Sequence, residues 1–415
     1  MRPGLEVADV FRDGEPGFLA RYGPTLSREQ RQAFRAVIQC RTAALGGHVQ
    51  RCSDCSHEKI QYNSCRNRHC PKCQAMARAA WLEKREGELL PVPYFHVVFT
   101  LPHELAPLAL QNKRVAYGLL FRAASRTLLE VAADPKHLGA QIGCLMVLHT
   151  WGQNLTHHPH IHAVVTGGGL SPDGSRWVHG KTSGRRQPFF APVKILSRVF
   201  RGKFIALLKQ ACASGELGFH GQLQPLSDAA AFEGLLNKAV RHDWVVYAKR
   251  PFASPNCVLK YLARYTHRVA ISNQRLVKLG EGQVSFRYKD YPDDQQAKIM
   301  CLSTPEFIRR FLMHTLPSRF VRIRYYGLSA NRNRDTRLDK CRCLLGVAPK
   351  AESPDQDAET LADRPDESLN AEICPVCRRG TLVRIDLARA GDRSPPPRPH
   401  LLTSAPVKTA YVDTS

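Results

Sequence analysis

No stretch of the chain approaches the roughly 18 consecutive apolar residues that a membrane span requires. Its opening residues, MRPGLEVADVFRDGEP, hold no apolar core of a secretory signal, so the sequence predicts a cytoplasmic protein. A GxxxxGK[ST] loop is also missing, which leaves the chain without a visible ATPase of its own. No internal repeat is present. Acid is scarce: 36 Asp and Glu stand against 60 Lys and Arg, a net charge of +24. The deficit is uneven, because residues 351–372 hold eight acids against Arg364 alone and residues 1–350 carry +27. A globular region that basic attracts polyanions, of which a nucleic-acid backbone is the usual one; a ribosomal or membrane-surface partner would look the same from charge alone.

The 415 residues give room for two or three domains, and a hydrophobic content of 43% is ordinary for a globular protein. Nine of the fourteen cysteines fall into close-spaced groups, which suits thiolate ligands to a metal in a reducing compartment better than disulfides. Residues 27–45 read as a helix: Ser27 and Gln30 make a capping box, Phe34, Val37, Ile38 and Leu45 form an apolar stripe, and Gly46 and Gly47 end it. Residues 74–89 read as a second helix, closed by Pro91 and Pro93, so a boundary is expected near Leu90. Beyond it, 94–100, 144–150, 161–166, 283–289 and 319–326 are strand-like, and 113–132, 194–212 and 256–268 helical, an α+β pattern. The expected division is 1–90, helix plus zinc-binding domain; 91–345, catalytic domain; 346–372, acidic linker; and 373–415, a second zinc knuckle with a disordered basic tail.

Cys52-x2-Cys55, fourteen residues, then Cys70-x2-Cys73 is close to the two-knuckle spacing that presents four sulfurs to tetrahedral zinc. Cys65 and His69 lie between the pairs and could substitute as ligands or, with Cys40, form a second site. A structural site closed by four ligands leaves no position for substrate. The module, with Arg66, Arg68 and Lys72 in it, is therefore expected to be a scaffold for DNA contacts. A weaker echo, Cys341-x-Cys343 followed by Cys374-x2-Cys377, suggests a further site.

The most informative stretch is His158-Pro159-His160-Ile161-His162. Residues two apart on a strand face the same side, so His160 and His162 can direct imidazoles at one ion while Ile161 packs the opposite face. Histidine-triad nucleotide hydrolases use a similar alternation, but in small proteins without a cysteine module. A second element, KYLARYTHRVAIS at 260–272, places Tyr261 and Tyr265 four apart on one helical face beside a basic stripe of Lys260, Arg264 and Arg268. Phenols there could attack a phosphate in turn, or they could simply pack the helix onto a sheet.

The segments PYFHVVFTLP (93–102), WGQNLTHHPHIHAVVTGGG (151–169), YLARYTHRVAIS (261–272) and RFVRIRYYGLSA (319–330), preceded by CRNRHCPKC (65–73), resemble the two-tyrosine HUH transposases of the insertion sequence ninety-one family. The resemblance spans roughly residues 20–345 in the expected order. It implies a ferredoxin-like (RRM-like) HUH endonuclease sheet with the histidines on a central strand and the tyrosine helix packed alongside. It further implies rolling-circle transposition: Tyr261 or Tyr265 attacks a phosphodiester of single-stranded DNA at insertion-sequence ends, forming a 5′-phosphotyrosine and freeing a 3′ hydroxyl. Mg²⁺ or Mn²⁺ would be held by His160, His162 and a polar residue ahead of them, Gln153, with Asn154 and His158 as substitutes, and Zn²⁺ would be structural. A host helicase or the replication machinery would separate strands, and the protein would associate with the bacterial nucleoid. Two other readings stay open: a rolling-circle replication initiator or relaxase with the same chemistry, and a zinc-ribbon DNA-binding protein whose histidines and tyrosines are structural.

Overall fold

The computed structural model describes residues 4–180, 189, 191–249, 257–258, 270–290, 293–294, 296–347 and 373–386. In chain order the main elements are α1 (Val7–Tyr22), α2 (Arg28–Gln39), β1 (Gly47–Cys52), β2 (Glu58–Tyr62), α3 (Pro71–Glu86), β3 (Tyr94–Thr100), α4 (Ala106–Gln111), α5 (Lys113–Ala133), β4 (Gly143–Trp151), β5 (His157–Thr166), β6 (Gly168–Leu170) and β7 (Trp177–His179). They continue with α6 (Val193–Ala213), α7 (Ala229–Ala239), β8 (Val246–Lys249), β9 (Leu276–Gly280), β10 (Gln283–Asp290), β11 (Gln296–Ser303), α8 (Thr304–Met313), β12 (Ile323–Gly327), α9 (Arg334–Leu344) and β13 (Leu382–Asp386). The fold is a mixed α+β one, as the alternation of sequence patterns predicts.

The largest sheet has five strands in the order β12-β4-β5-β3-β8, every neighbouring pair antiparallel. Its three middle strands are buried on both faces, which is why they read as runs of Val, Phe and Ile rather than as a simple alternation. On one face Val97, Phe99, Cys144, Met146, Leu148, Ile161, Ala163 and Val165 share a core with Phe121 of α5 and Phe200 and Phe204 of α6. The intervening residues face the other way. They include His96 of β3, His149 of β4, and His160 and His162 of β5.

A second unit joins the beginning of the chain to residues far along it. The sheet β11-β10-β9 carries α8, and α1 and α2 pack there, so that Phe11, Phe18, Phe34, Phe286, Phe307 and Phe311 lie in one cluster. Phe11 meets Phe34 at 5.4 Å between ring centroids and Phe311 edge-on at 5.2 Å. Gly14 allows this approach: a Cβ there would lie 2.7 Å from Ile308 Cδ1 and 2.8 Å from Thr304 Cβ. Ser27 caps α2, and Gln30 returns the hydrogen bond to Ser27 N, the capping box that the sequence predicts.

A third, small sheet has the order β13-β1-β2. Residues 382–386 thus return to the cysteine-rich module near the start of the chain. Among the described residues no helix is long and apolar enough to cross a membrane.

Candidate metal centres

β4 and β5 are antiparallel with His149 opposite His160, and β3 pairs with β5 so that Val98 lies opposite His162. This register gathers His149, His160 and His162 on the face away from α5 and α6, with their ligand nitrogens all within 4.8 Å of one another. His149 and His162 are buried and His160 is half-buried. The Nδ1 of His160 lies 2.7 Å from the carbonyl oxygen of His158, which can only accept. Nδ1 therefore holds the proton and Nε2 presents a lone pair. That Nε2 lies 3.1 Å from Nε2 of His162. The separation matches the edge of about 3.0 Å expected for two imidazoles in cis positions on an ion with metal–nitrogen bonds of roughly 2.1 Å. An ion can take both lone pairs once His162 carries its proton on Nδ1, and Nε2 of His96 waits 2.8 Å from that atom.

Burial pushes the His160 pKa down to about 4, reinforced by His158, and that of His96 down to about 4, reinforced by Lys249 and His160. Both rings are neutral at physiological pH, the form a metal site needs. His149 is clamped from the side, its ring stacked on Trp151 at 4.5 Å between centroids and edge-on to His162 at 4.5 Å.

The tight turn between β4 and β5 aims the histidines. Leu155 sits there at φ 62° with its side chain buried. His314 bonds to the Leu155 carbonyl at 3.1 Å, Arg310 donates to the Asn154 carbonyl at 3.1 Å, and Arg275 donates to the Gln153 carbonyl. Gln153 and Asn154 thus lie in a turn braced by residues 275–314, His158 is exposed, and the third imidazole comes from β4. The sequence reading missed His149. Its signal was a histidine closing an apolar strand, but only the strand register puts it opposite His160. His96, inside YFHVVFT, was missed for the same reason.

Tyr261, Tyr265, Lys260, Arg264 and Arg268 lie outside the described residues. On the described flanks, Val258 is fully buried in a cluster with Tyr94 and Val164, and Ala270 lines a small cavity with Thr150 and Trp151.

The cysteines sort differently from the spacing rule. The structure does not bring Cys52, Cys55, Cys70 and Cys73 to one point. It gathers Cys40, Cys65, Cys70 and Cys73 in one cluster and Cys52, Cys55, Cys374 and Cys377 in another. The reason is topological: Cys40 caps the end of α2 and Cys73 lies in the first turn of α3, whereas Cys52 ends β1, whose neighbour β13 follows the late CxxC pair. In the first cluster the Cys73 Sγ lies 3.5 Å from those of Cys40 and of Cys65, near the edge of about 3.8 Å of a tetrahedron with Zn–S bonds of 2.3 Å. His69 is not a ligand candidate: its Nε2 accepts from Leu316 N at 3.4 Å. Nor do Cys341 and Cys343 join Cys374 and Cys377, because Cys341 is buried in the core with Leu90 and Leu338 while Cys343 is exposed. Arg68 and Lys72, expected at a DNA surface, are engaged within the protein. Arg68 donates to the carbonyls of Phe320 and Pro317, each at 2.6 Å, and Lys72 pairs with Glu6 at 2.5 Å.

Comparison with known proteins adds independent findings. A family model described as "Putative transposase" matches residues 143–337, and one described as "Transposase zinc-binding domain" matches residues 10–101. The chain is 51% identical over 388 residues to "Putative transposase y4qJ" of Sinorhizobium fredii, covering 93% of this chain and 96% of that protein. It is 28% identical over 324 residues to "Transposase for insertion sequence element IS801" of Pseudomonas savastanoi pv. phaseolicola, covering 77% of this chain and 74% of that one. No solved structure matches the chain.

Proposed function

We propose, for a chain that belongs to the insertion sequence ninety-one family of transposases, that it nicks and rejoins single-stranded DNA by tyrosine transesterification at a divalent metal ion held on the open face of its five-stranded sheet. The observation that carries this reading is the group of three imidazoles, His149, His160 and His162, with two Nε2 atoms 3.1 Å apart. We take His149 as third ligand in place of Gln153. An all-imidazole set is softer than the oxygen sets that Mg²⁺ takes, so Mn²⁺ fits better than Mg²⁺. The ion supplies Lewis-acid polarisation of the scissile phosphate.

The chain's own residues do the rest. His96 holds His162 in the tautomer whose Nε2 carries a lone pair, and the His158 carbonyl does the same for His160. Tyr261 and Tyr265 are the proposed nucleophiles. The attacking phenol gives up its proton, its oxygen bonds to phosphorus, and the bond to the 3′ oxygen breaks, leaving a 5′-phosphotyrosine and a 3′ hydroxyl; reversal on a second end rejoins the strand. What supports their assignment is that the described flanks, Val258 and Ala270, share a cluster or cavity with Val164 and with Trp151, each two residues from a histidine of the site. Lys260, Arg264 and Arg268 would hold phosphates. We read the sheet as the ferredoxin-like one of HUH endonucleases, and the Cys40 cluster as the site of a structural zinc. Strand separation falls to a host helicase or replication, since the sequence has no phosphate-binding loop.

Single-stranded oligonucleotides carrying the element's ends, incubated with the protein and Mn²⁺, should yield a covalent protein–DNA adduct. Each of Tyr261→Phe and Tyr265→Phe should retain part of the reaction, and the double variant should form none. An adduct from the double variant would sink the assignment.

A further inference from the structure

We propose that Cys52, Cys55, Cys374 and Cys377 hold a second zinc ion, which clasps residues 373–386 onto β1 and so joins two segments more than 300 residues apart. The matched zinc-binding domain ends at residue 101. Within it, Cys40, Cys65, Cys70 and Cys73 complete a set of four, and Cys52 and Cys55 are left two ligands short. The late pair supplies them.

Geometry fits the ion. The Cys52 and Cys377 sulfurs lie 3.6 Å apart and those of Cys55 and Cys374 3.7 Å, against the edge of about 3.8 Å for four thiolates around zinc. The two CxxC turns match each other. In each, the residue after the second cysteine is left-handed, Ser56 at φ 57° and Arg378 at φ 58°, which turns the chain around the sulfurs. Backbone N–H groups point at the thiols: Asp54 N lies 3.3 Å from Cys52 Sγ, and Gly380 N lies 3.4 Å from Cys377 Sγ. Such donors favour a thiolate over a thiol. Gly380 is required there, since a Cβ would come within 2.5 Å of Cys52 Sγ.

Apolar packing does not explain the junction. The local core consists of Cys52, Cys374 and Leu382 with Cys377 against it, while Ile373 and Val376 are 63% and 64% exposed. A cluster that small cannot offset the entropy of ordering a turn and a strand, so a metal is the natural staple. Once it binds, the antiparallel register from Cys52↔Leu382 to His48↔Asp386 follows, and β1 becomes the middle strand of three. The clasp is independent of strand cleavage.

Cobalt titration of the reduced full-length chain tests this, read by thiolate-to-cobalt charge-transfer absorbance, to which the histidine site does not contribute. Two cobalt ions per chain should produce it, and Cys374→Ser/Cys377→Ser should leave about half. Cys377→His should keep both ions with an altered band, which separates ligand loss from misfolding. Saturation of the wild-type signal at one ion, or an undiminished signal in the double Ser variant, would overturn the proposal. In a full chain with a protease site inserted between residues 360 and 361, the cleaved C-terminal fragment should stay bound in zinc and leave on adding a chelator. Its release in the presence of zinc would equally refute the clasp.

Discussion

Lowering the pH from 7 to 5 probes the packing around the proposed metal site. Three histidines outside the proposed ligand set are held neutral there. The pKa of His69 is pushed down to about 3, that of His157 to about 4 and that of His314 to about 3. Burial is the largest cause in each, followed by the Arg68 charge at His69, Lys113 at His157 and His157 at His314. Burial outweighs the hydrogen bonds to carbonyls, which by themselves favour the protonated ring at His157 and His314. Leu316 N donates to His69; His157 donates to the Ala106 carbonyl and accepts from Tyr117 at 2.8 Å; His314 donates to the Leu155 carbonyl and accepts from Thr150. A further proton on His69 would meet the Leu316 N–H, which can only donate. Because each folded pKa lies below the unfolded value of about 6.5, the unfolded chain takes up protons first, and stability present above pH 6.5 is lost as pH falls towards 3–4. Between pH 7 and 5 each ring costs about 2 kcal/mol, or about 6 kcal/mol for the three. That is comparable to the roughly 5–15 kcal/mol that holds a typical domain together. Carboxylates lose little above pH 5: Glu306, held at about 2 mainly by its hydrogen bond from Arg309, is ionised in both states through most of this range. Urea unfolding followed by circular dichroism at the two pH values should show a drop of several kcal/mol. A change below about 1 kcal/mol would refute the reasoning, and with it the neutral tautomers that brace the β4–β5 turn.

Two further outcomes are expected. His96→Ala should weaken Mn²⁺ binding by roughly 10–100-fold, the usual cost of losing an outer hydrogen-bond partner, and His149→Ala should weaken it more; calorimetric titration would expose a reversed order. Gly14→Ala should destabilise the α1–α8 contact by about 1–3 kcal/mol, since Ile308 and Thr304 leave no room for a methyl group, and a thermal midpoint equal to that of the parent chain would contradict it.

Much of the sheet was legible because its strands are apolar and β-branched: 94–100 is found as read, and 144–150 lies within β4. The His-Ile-His alternation gave the face of β5 directly. Partners were harder. Periodicity places His149 on a strand, but long-range pairing decides what it faces. The cysteine sets failed for the same reason: nearness in sequence favours joining Cys52 and Cys55 to Cys70 and Cys73, whereas β1 takes β13 as its neighbour. Helix α1 escaped notice because Gly14, Pro16 and Gly17 oppose a helix locally. Burial of Val7, Val10, Phe11 and Phe18 against α2 and α8 overrides that preference.

The partnership of α1 and α2 with α8 has a consequence for how the chain is made. Phe11, Phe18 and Phe34 are synthesised early, yet Phe286, Phe307 and Phe311, which complete their cluster, follow only after the cysteine module and most of the five-stranded sheet. At roughly 5–20 residues per second, a ribosome needs about 15–60 s to bridge that interval. Throughout it, an amphipathic helical pair waits with its aromatic face uncovered, a substrate for chaperones and a seed for aggregation if none arrives. Expression at lower temperature, or with a holdase present, should raise the soluble yield of this protein more than that of one whose opening helices pack on their immediate neighbours.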